Sequence, residues 1–342
     1  MKFILKPVGS IHSPFTDKAQ TPILPTRSQF KKIPTGYLFL LPFAIGFLTF
    51  GIYPIVNTLA LSFTNTTIMG GDGEFVGIAN FTRLFADRVF LRAVGNTWLI
   101  WTLNFIPQIC IPMLLAVLFT SARLKIKAVG AWRAIFYLPN LLMPAAIAAL
   151  FGTLFGLYGP VNQFMVRAGF LHEAFRFIED IWVTRSLVIF INWWMWFGQT
   201  MIILMAGMTA IPIHLYEAAV VDGASVWQMF KWITLPLLKP ILIFIFVTAM
   251  AGGMQMFDIP FLLTDGKGSP LSSIQTSVIL MYIKYNSPKG HIGAASAVGV
   301  LVFIMTAVVA LGIFYVLGNR DKDDTKSKRK SLFKKNTERS QS

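Results

Sequence analysis

Charge is scarce in this sequence. Asp, Glu, Lys and Arg make up 13% of its 342 residues, about half the roughly 25% of an ordinary soluble domain. Cysteine is scarcer still. Cys110 stands alone, which excludes an internal disulfide and a cysteine metal cluster. The four histidines, His12, His172, His214 and His291, are scattered singly, and neither HExxH nor GxSxG occurs; both motifs would signal hydrolytic chemistry. A phosphate-binding loop needs Gly-x4-Gly-Lys-Ser/Thr, but the Gly266-Lys267 pair is followed by Gly268. No ATP site is encoded, so no cofactor is expected in this chain. A single intramembrane acid, Asp258, cannot form a paired-carboxylate mechanism. The chain is not expected to be an enzyme, and any energy it uses must come from an ion gradient or from a partner.

Apolar residues fill the space. They make up 55% of the chain. No charge occurs from Ile33 to Gly71, Ala93 to Ser121, Ala134 to Val166, Ser186 to Tyr216, Pro240 to Phe257, or Ile292 to Asn319. Each run is near or above the roughly 20 residues that cross a bilayer as a helix, and hydrocarbon forces the backbone to satisfy its own hydrogen bonds. The expectation is an all-α membrane protein with six transmembrane helices, approximately 37–63, 95–120, 134–156, 186–210, 238–263 and 292–318.

The net charge of +15 could suggest nucleic acid, but its placement points to topology. Residues 1–36, 121–133, 211–240 and 319–342 hold 21 of the 30 Lys and Arg. The positive-inside rule then puts both termini in the cytoplasm. Residues 1–36 form an N-terminal tail, 37–318 the membrane domain, and 319–342 a basic C-terminal tail that reads as a solvated anchor or as an attraction to anionic membrane lipids. MKFILK is too short for a signal-peptide core, so the first span reads as an uncleaved anchor. Asn65-Thr66-Thr67 is a formal glycosylation sequon that chance also explains.

Between spans, Gly70, Gly71 and Gly73 mark a turn. Phe81, Leu84, Phe85, Phe90, Leu91 and Val94 then fall near helical spacing, as in short helices on the outer surface. The basic SARLKIKAVGAWR suits a cytoplasmic turn, and residues 156–185 suit an external helical segment. The fourth span gathers Asn192, Trp193, Trp194, Trp196 and Gln199. The fifth is interrupted at Gly252-Gly253, with Gln255 and Asp258 beyond. Polar groups beside a broken helix mark transporter substrate sites, because they are costly against lipid and face an interior. Lipid-facing or packing bulk is the other reading of the tryptophans. Asp258 reads as a gate, a docking residue or a plain interfacial acid. Small residues opening the sixth span permit close helix packing.

The stretch EAAVVDGASVWQMFKWITLPLLKP, Glu217 to Pro240, departs from this pattern. Leu215 to Lys231 reads as one helix of four to five turns, with Glu217 in its first turn favouring the dipole. Ala218, Ala219, Gly223 and Ala224 give it a shallow face, and Trp227 stands out further along. A mid-helix glycine costs about 1 kcal/mol against alanine, so something should approach closely there. Leu235-Pro236 should redirect the chain, since a residue before proline avoids the helical region. On physical grounds this is equally a docking knob or an interfacial helix packed on its own protein.

The stretch resembles the EAA loop of binding-protein-dependent ABC importer permeases: Glu-Ala-Ala, three residues, Gly, nine residues, Ile-x-Leu-Pro. Glu217, Ala218, Ala219, Gly223, Ile233, Leu235 and Pro236 meet every spacing, and Tyr216, Asp222 and Ala224 extend the match. Asn80-Phe81, Asn96-Thr97, RAIFYLPNLLMP and FD…LLTDG are similar to the carbohydrate branch, the maltose and multiple-sugar type permeases, over roughly 37–318. The resemblance implies a MetI-like importer permease fold in a bacterial or archaeal cytoplasmic membrane, with a coupling helix in the loop 211–240. It implies two cytoplasmic ATPase subunits that bind ATP and Mg, contacted at Gly223 with Glu217 as a helix-end partner. It also implies a second, related permease chain and an extracytoplasmic sugar-binding protein received by residues 64–94, 157–185 and 264–290. Alignment with the family places Trp196, Gln199, Gly253 and Met256 at sugar-contacting positions, although the family has more polar amides where Gly253 and Met256 stand. Oligosaccharides are the expected cargo; glycerol-phosphate or another polar solute, or an ion-coupled secondary transporter, are the alternatives.

Overall fold

The structure, a computed structural model, describes residues 33–70, 73–121, 124 and 126–318. Expectations for the two tails, for Gly71 and for Arg123 and Lys125 of the basic turn lie largely or wholly outside those residues. Among the described residues the fold is all-helical; β-pairing is limited to isolated bridges such as Thr64 with Phe75. The chain divides into two units between Ile55 and Val56.

The first unit contains α1, Ile33–Phe47, a π turn at Leu48–Ile52 and the start of α2, Tyr53–Ser62. Proline removes a donor and its ring clashes with the carbonyl four residues back. Before Pro54 the helix widens: the Tyr53 N–H reaches Leu48 O. The same device recurs in the second unit before Pro236, where a π turn at Phe230–Thr234 ends with the Leu235 N–H on Phe230 O. Leu235 keeps helical angles, φ −63° and ψ −43°, so Leu235-Pro236 does not redirect the chain as expected. The wider turn makes room for the ring.

The second unit continues with α3, Ala79–Ala86, and α4, Arg88–Thr120. The Asp87 side chain caps α4 by accepting from the Val89 N–H. No breaker follows for many residues, so the expected second surface helix is instead the first turns of α4, about 50 Å long at 1.5 Å per residue. Leu84 of α3 and Phe90 of α4 are buried together with Leu280 and Val298. Next come α5, Val129–Tyr137, a 3-10 turn Leu138–Leu141, and α6, Pro144–Leu154. The two limbs bend by 90°. Leu142 and Met143 between them are both extended (ψ 144° and 131°), as the residue before Pro144 is biased to be. The run 134–156 is therefore not one straight helix.

After α7, Pro160–Arg167, and a 3-10 turn at Phe177–Glu179, α8 runs from Ile181 to Thr209. Asp180 caps it, accepting from the N–H groups of Trp182 and Val183. Then follow α9, Ile213–Val221, α10, Val226–Met229, α11, Leu235–Leu237, α12, Lys239–Met254, and α13, Asp258–Leu263. The chain closes with α14, Ser277–Tyr285, and α15, Ile292–Gly318. Among the described residues five segments are long and apolar enough to cross a membrane: Phe39–Ser62, Arg88–Thr120, Ile181–Thr209, Lys239–Leu263 and Ile292–Gly318. The bent pair α5–α6 makes six if counted as one span.

In lipid, helices associate through packing and close approach rather than through hydrophobic transfer. α8 is the hub. Val188, Ile191 and Met195 pack with Ile100, Ile147 and Ile259, and one to three turns on Met201, Leu204 and Met205 pack with Ala116, Leu238 and Ile245. Gly198 lets α8 lie directly on the Phe136 carbonyl, where any Cβ would collide.

At the end of the bundle where α8 begins, Asn96 ties three segments together. Its Nδ2 donates to Ser272 O at 2.7 Å and Gln275 O at 3.2 Å. Its Oδ1 accepts from Arg185 Nη2 at 2.9 Å, while Arg185 Nε donates to Ser273 O at 3.0 Å. Asn80, buried, donates to Ser62 O and Thr64 O.

Candidate functional site

Two regions of the second unit gather the residues the sequence singled out. The first is the connection between α8 and α12, at the end of the bundle opposite Asn96. α9 starts at Ile213, so Glu217 lies in its second turn and no acid occupies the first. The helix expected over 215–231 is two helices. Gly223 has φ +76°, the left-handed conformation that ends helices and that glycine adopts without strain. The Ala224 N–H closes on Ala219 O at 2.9 Å and the Gly223 N–H on Val220 O at 3.1 Å. Ser225 then caps α10 in a reciprocal box with Gln228. Gly223 is thus a turn rather than a mid-helix gap, and a Cβ built there would meet nothing within 4 Å.

This segment projects apolar surface. Val221 is 87% exposed, Trp227 68% and Trp232 70%; Glu217, Ala218, Asp222, Leu235 and Pro236 are exposed and Ala219 half-buried. Trp227 stacks on Phe230 at 5.7 Å. The segment is nevertheless anchored. The Tyr216 and Thr234 hydroxyls share a hydrogen bond of 2.8 Å, and Met229 is buried. A cavity of about 680 Å³ lies beneath, with Tyr216, Glu217 and Val220 on one wall and Val117, Thr120 and Met208 on another.

The second region is a cavity of about 370 Å³ between α4, α8 and the α12–α13 break. From α8 it receives Asn192, Trp196 and Gln199, which share a face at i, i+4 and i+7. Trp196 is 46% exposed and Asn192 8%. From α12 and the break come Gly252, Gly253, Gln255, Met256 and Asp258. Eight of the nine residues expected on a substrate path therefore surround one cavity. The ninth, Trp194, does not line it; it packs edge-on against Phe151 at 5.9 Å. Trp193 stacks on Phe197 at 5.2 Å.

The break is not where the glycines are. α12 runs through both and stops at Met254. Gly253 lies against the Trp101 indole, where a Cβ has no room, while Gly252 has nothing within 4 Å. Gly253 therefore serves close approach. The interruption comes at Gln255–Phe257, where the Thr276 hydroxyl donates to the buried Met256 carbonyl at 2.8 Å. α13 restarts at Asp258, whose carboxylate sits in the first turn, the favoured place for a negative charge. Sequence reading missed Asn104 and Gln108 of α4, which line the cavity. Their signal was two amides at i, i+4 inside a charge-free run, a costly pattern in lipid.

Residues 95–321 match the family described as binding-protein-dependent transport system inner membrane component. The lactose transport system permease protein LacF of Rhizobium radiobacter is 30% identical over 286 residues, covering 83% of this chain and 94% of that protein. The arabinooligosaccharides transport system permease protein AraP of Bacillus subtilis is 30% identical, covering 82% and 88%. The trehalose/maltose transport system permease protein MalF of Thermococcus litoralis is 30% identical, covering 88% and 99%. Among solved structures, a bacterial ABC transporter involved in the import of the acidic polysaccharide alginate is similar in fold, with TM-score 0.72 and 24% identity over 85% of this chain and 98% of the other.

Proposed function

The chain belongs to the binding-protein-dependent transport system inner membrane component family, and from that premise we propose that it is the permease subunit of an ATP-driven sugar importer. Its cargo is a sugar or oligosaccharide, as the names of its relatives support. Both termini face the cytoplasm, and the α9–α10 connection faces a separate ATPase. The exposed Val221-Asp222-Gly223 tip, anchored through Tyr216 to Thr234 at the foot of α12, is the observation that carries this reading. A tip that is both unpartnered and braced suits a contact that must transmit force.

ATP-driven closure of two ATPase subunits draws this tip and its counterpart on a second permease chain together. The spans then open outward to receive sugar from an extracytoplasmic binding protein, and hydrolysis resets them inward. Asn192, Trp196, Gln199 and the α12–α13 break form this chain's part of the path. Indole faces stack on pyranose C–H surfaces, and amides pair with hydroxyls.

Proteoliposomes containing the permease pair, its ATPase and its binding protein test the assignment. Sugar should accumulate only with ATP inside. Uptake that persists without ATP under an ion gradient would favour a secondary transporter using Asp258.

A further inference from the structure

The 370 Å³ cavity has a polar wall on α4, at Asn104 and Gln108, outside the motif stretches that resemble the family. Asn104 is 4% exposed. Its Nδ2 donates to Gln108 Oε1 at 2.9 Å, and its Oδ1 is buried with no partner in the protein. Buried acceptors are almost always satisfied. Asn104 lines the cavity, so this unmet acceptor adjoins space that a ligand hydroxyl or N–H can enter. Nearby, the Thr200 and Thr248 hydroxyls donate to the backbone carbonyls of Trp196 and Phe244, which leaves their oxygens free to accept.

The charge of the cavity has one sign. Asp258 lines it, and the described residues around it include no Lys, Arg or His. α12 ends here with Gly252 and Gly253 on the wall and α13 begins here at Asp258, so the opposed poles of the two helices offset one another and the Asp258 carboxylate carries the formal charge of the lining. Within a protein-lined space the effective dielectric constant is below that of water, so Coulomb repulsion at a given distance is stronger than in bulk solvent. A carboxylate or phosphate entering would meet repulsion with no cation to offset it. Hydroxyl groups would find acceptors at Asn104, Thr200, Thr248 and Asp258.

We propose that Asn104 and Gln108 bind cargo hydroxyls, and that the cavity selects neutral over anionic saccharides, with Asp258 as the residue that repels the anion. This rests on the reading of the cavity as a cargo path. It separates the chain from the transporter it resembles in fold, which is described as importing an acidic polysaccharide; shared architecture leaves the charge of the cavity free to differ.

Saturation-transfer NMR on the purified permease–ATPase complex, without binding protein, tests it at pH 7. The probes are lactose, maltotriose and arabinopentaose as neutral saccharides, and an alginate pentasaccharide as the acidic one. At least one neutral probe should bind and the acidic one should not. Asn104→Ala should weaken neutral binding about tenfold, the size of one lost hydrogen bond to a buried partner. Asn104→Ser, which keeps an acceptor, should recover part of it. Asp258→Asn should raise the ratio of acidic to neutral binding about tenfold. If Asn104→Ala lowers the melting temperature, Gln108→Ala takes its place, and neutral binding unchanged in that variant overturns the amide wall. Acidic and neutral probes binding alike in the unaltered protein, or an unmoved ratio in Asp258→Asn, overturns the charge selection alone. Binding of no saccharide at all overturns the cargo-path reading beneath both.

Discussion

The Tyr216 hydroxyl and the Thr234 hydroxyl lie 2.8 Å apart and share a hydrogen bond across 18 residues. Tyr216 belongs to α9, the helix that ends in the exposed tip; Thr234 is buried at the last residue of the π turn that leads into α11 and α12. The bond is therefore a brace between the outward-facing tip and the span that reaches the cavity. An intramolecular hydrogen bond is worth about 0.5–1.5 kcal/mol net. Tyr216→Phe should lower ATP-driven uptake about fivefold, measured as initial rate in proteoliposomes. Thr234→Val, which also removes the 3.5 Å bond to the Met229 carbonyl, should lower it at least as far, and the double variant no further than Thr234→Val alone. Additive losses would mean that the two hydroxyls act separately.

Gly252 and Gly253 adjoin, yet only one is crowded. A Cβ on Gly253 meets the Trp101 indole; one on Gly252 meets nothing within 4 Å. Overpacking a tight contact costs about 1–3 kcal/mol, whereas alanine for glycine in an open helix position gains about 1 kcal/mol. Thermal unfolding of the purified permease should show Gly253→Ala lowered and Gly252→Ala level or raised. The reverse order would remove Trp101 as the reason for a glycine.

Asn96 is 3% exposed and uses both side-chain polar atoms, on Ser272, Gln275 and Arg185. Asn96→Ala strands two carbonyls and one guanidinium contact, a loss of about 1–3 kcal/mol. Protease should then cut the 264–276 segment faster while cleavage of the α9–α10 connection stays unchanged. Equal acceleration at both ends would point to global destabilisation.

Gln199 faces the cavity between Trp196 and Thr200. Gln199→Ala should raise the sugar concentration for half-maximal uptake about threefold to tenfold, as the loss of one hydroxyl contact. Unchanged uptake across the neutral sugars would take Gln199 out of the path.

Much of this architecture was legible because lipid imposes simple demands. Absence of charge marked every span, and the last, 292–318, matches its observed helix. The errors have two causes: a contact with a distant segment that the local sequence does not show, and a local backbone conformation that the residue type leaves open. Gly252-Gly253 looked like the break, but Trp101, about 150 positions earlier, explains Gly253, and the chain parts after Met254. Gly223 looked like a gap in a helix, whereas its positive φ ends one. The charge-free run 134–156 carried no direction, so the right-angle bend before Pro144 stayed hidden. The clustering of Trp193, Trp194 and Trp196 was visible, but the helical period sends only Trp196 to the cavity. Asn104 and Gln108 were legible in principle, as the kind of amide pair an apolar span does not carry without a use.

The central claim is that the tip at Gly223 receives force from a nucleotide-hydrolysing partner. The most direct measurement is sugar-stimulated ATP hydrolysis by the assembled transporter carrying Gly223→Trp, with Gly223→Asn as control. Asparagine tolerates the left-handed turn and should keep most of the stimulation. Tryptophan adds bulk at a position where a Cβ meets nothing within 4 Å, and the asparagine control carries the same left-handed backbone cost. The account predicts that the permease pair still assembles and that stimulation is lost. Full stimulation in Gly223→Trp, with the pair assembled, would contradict it.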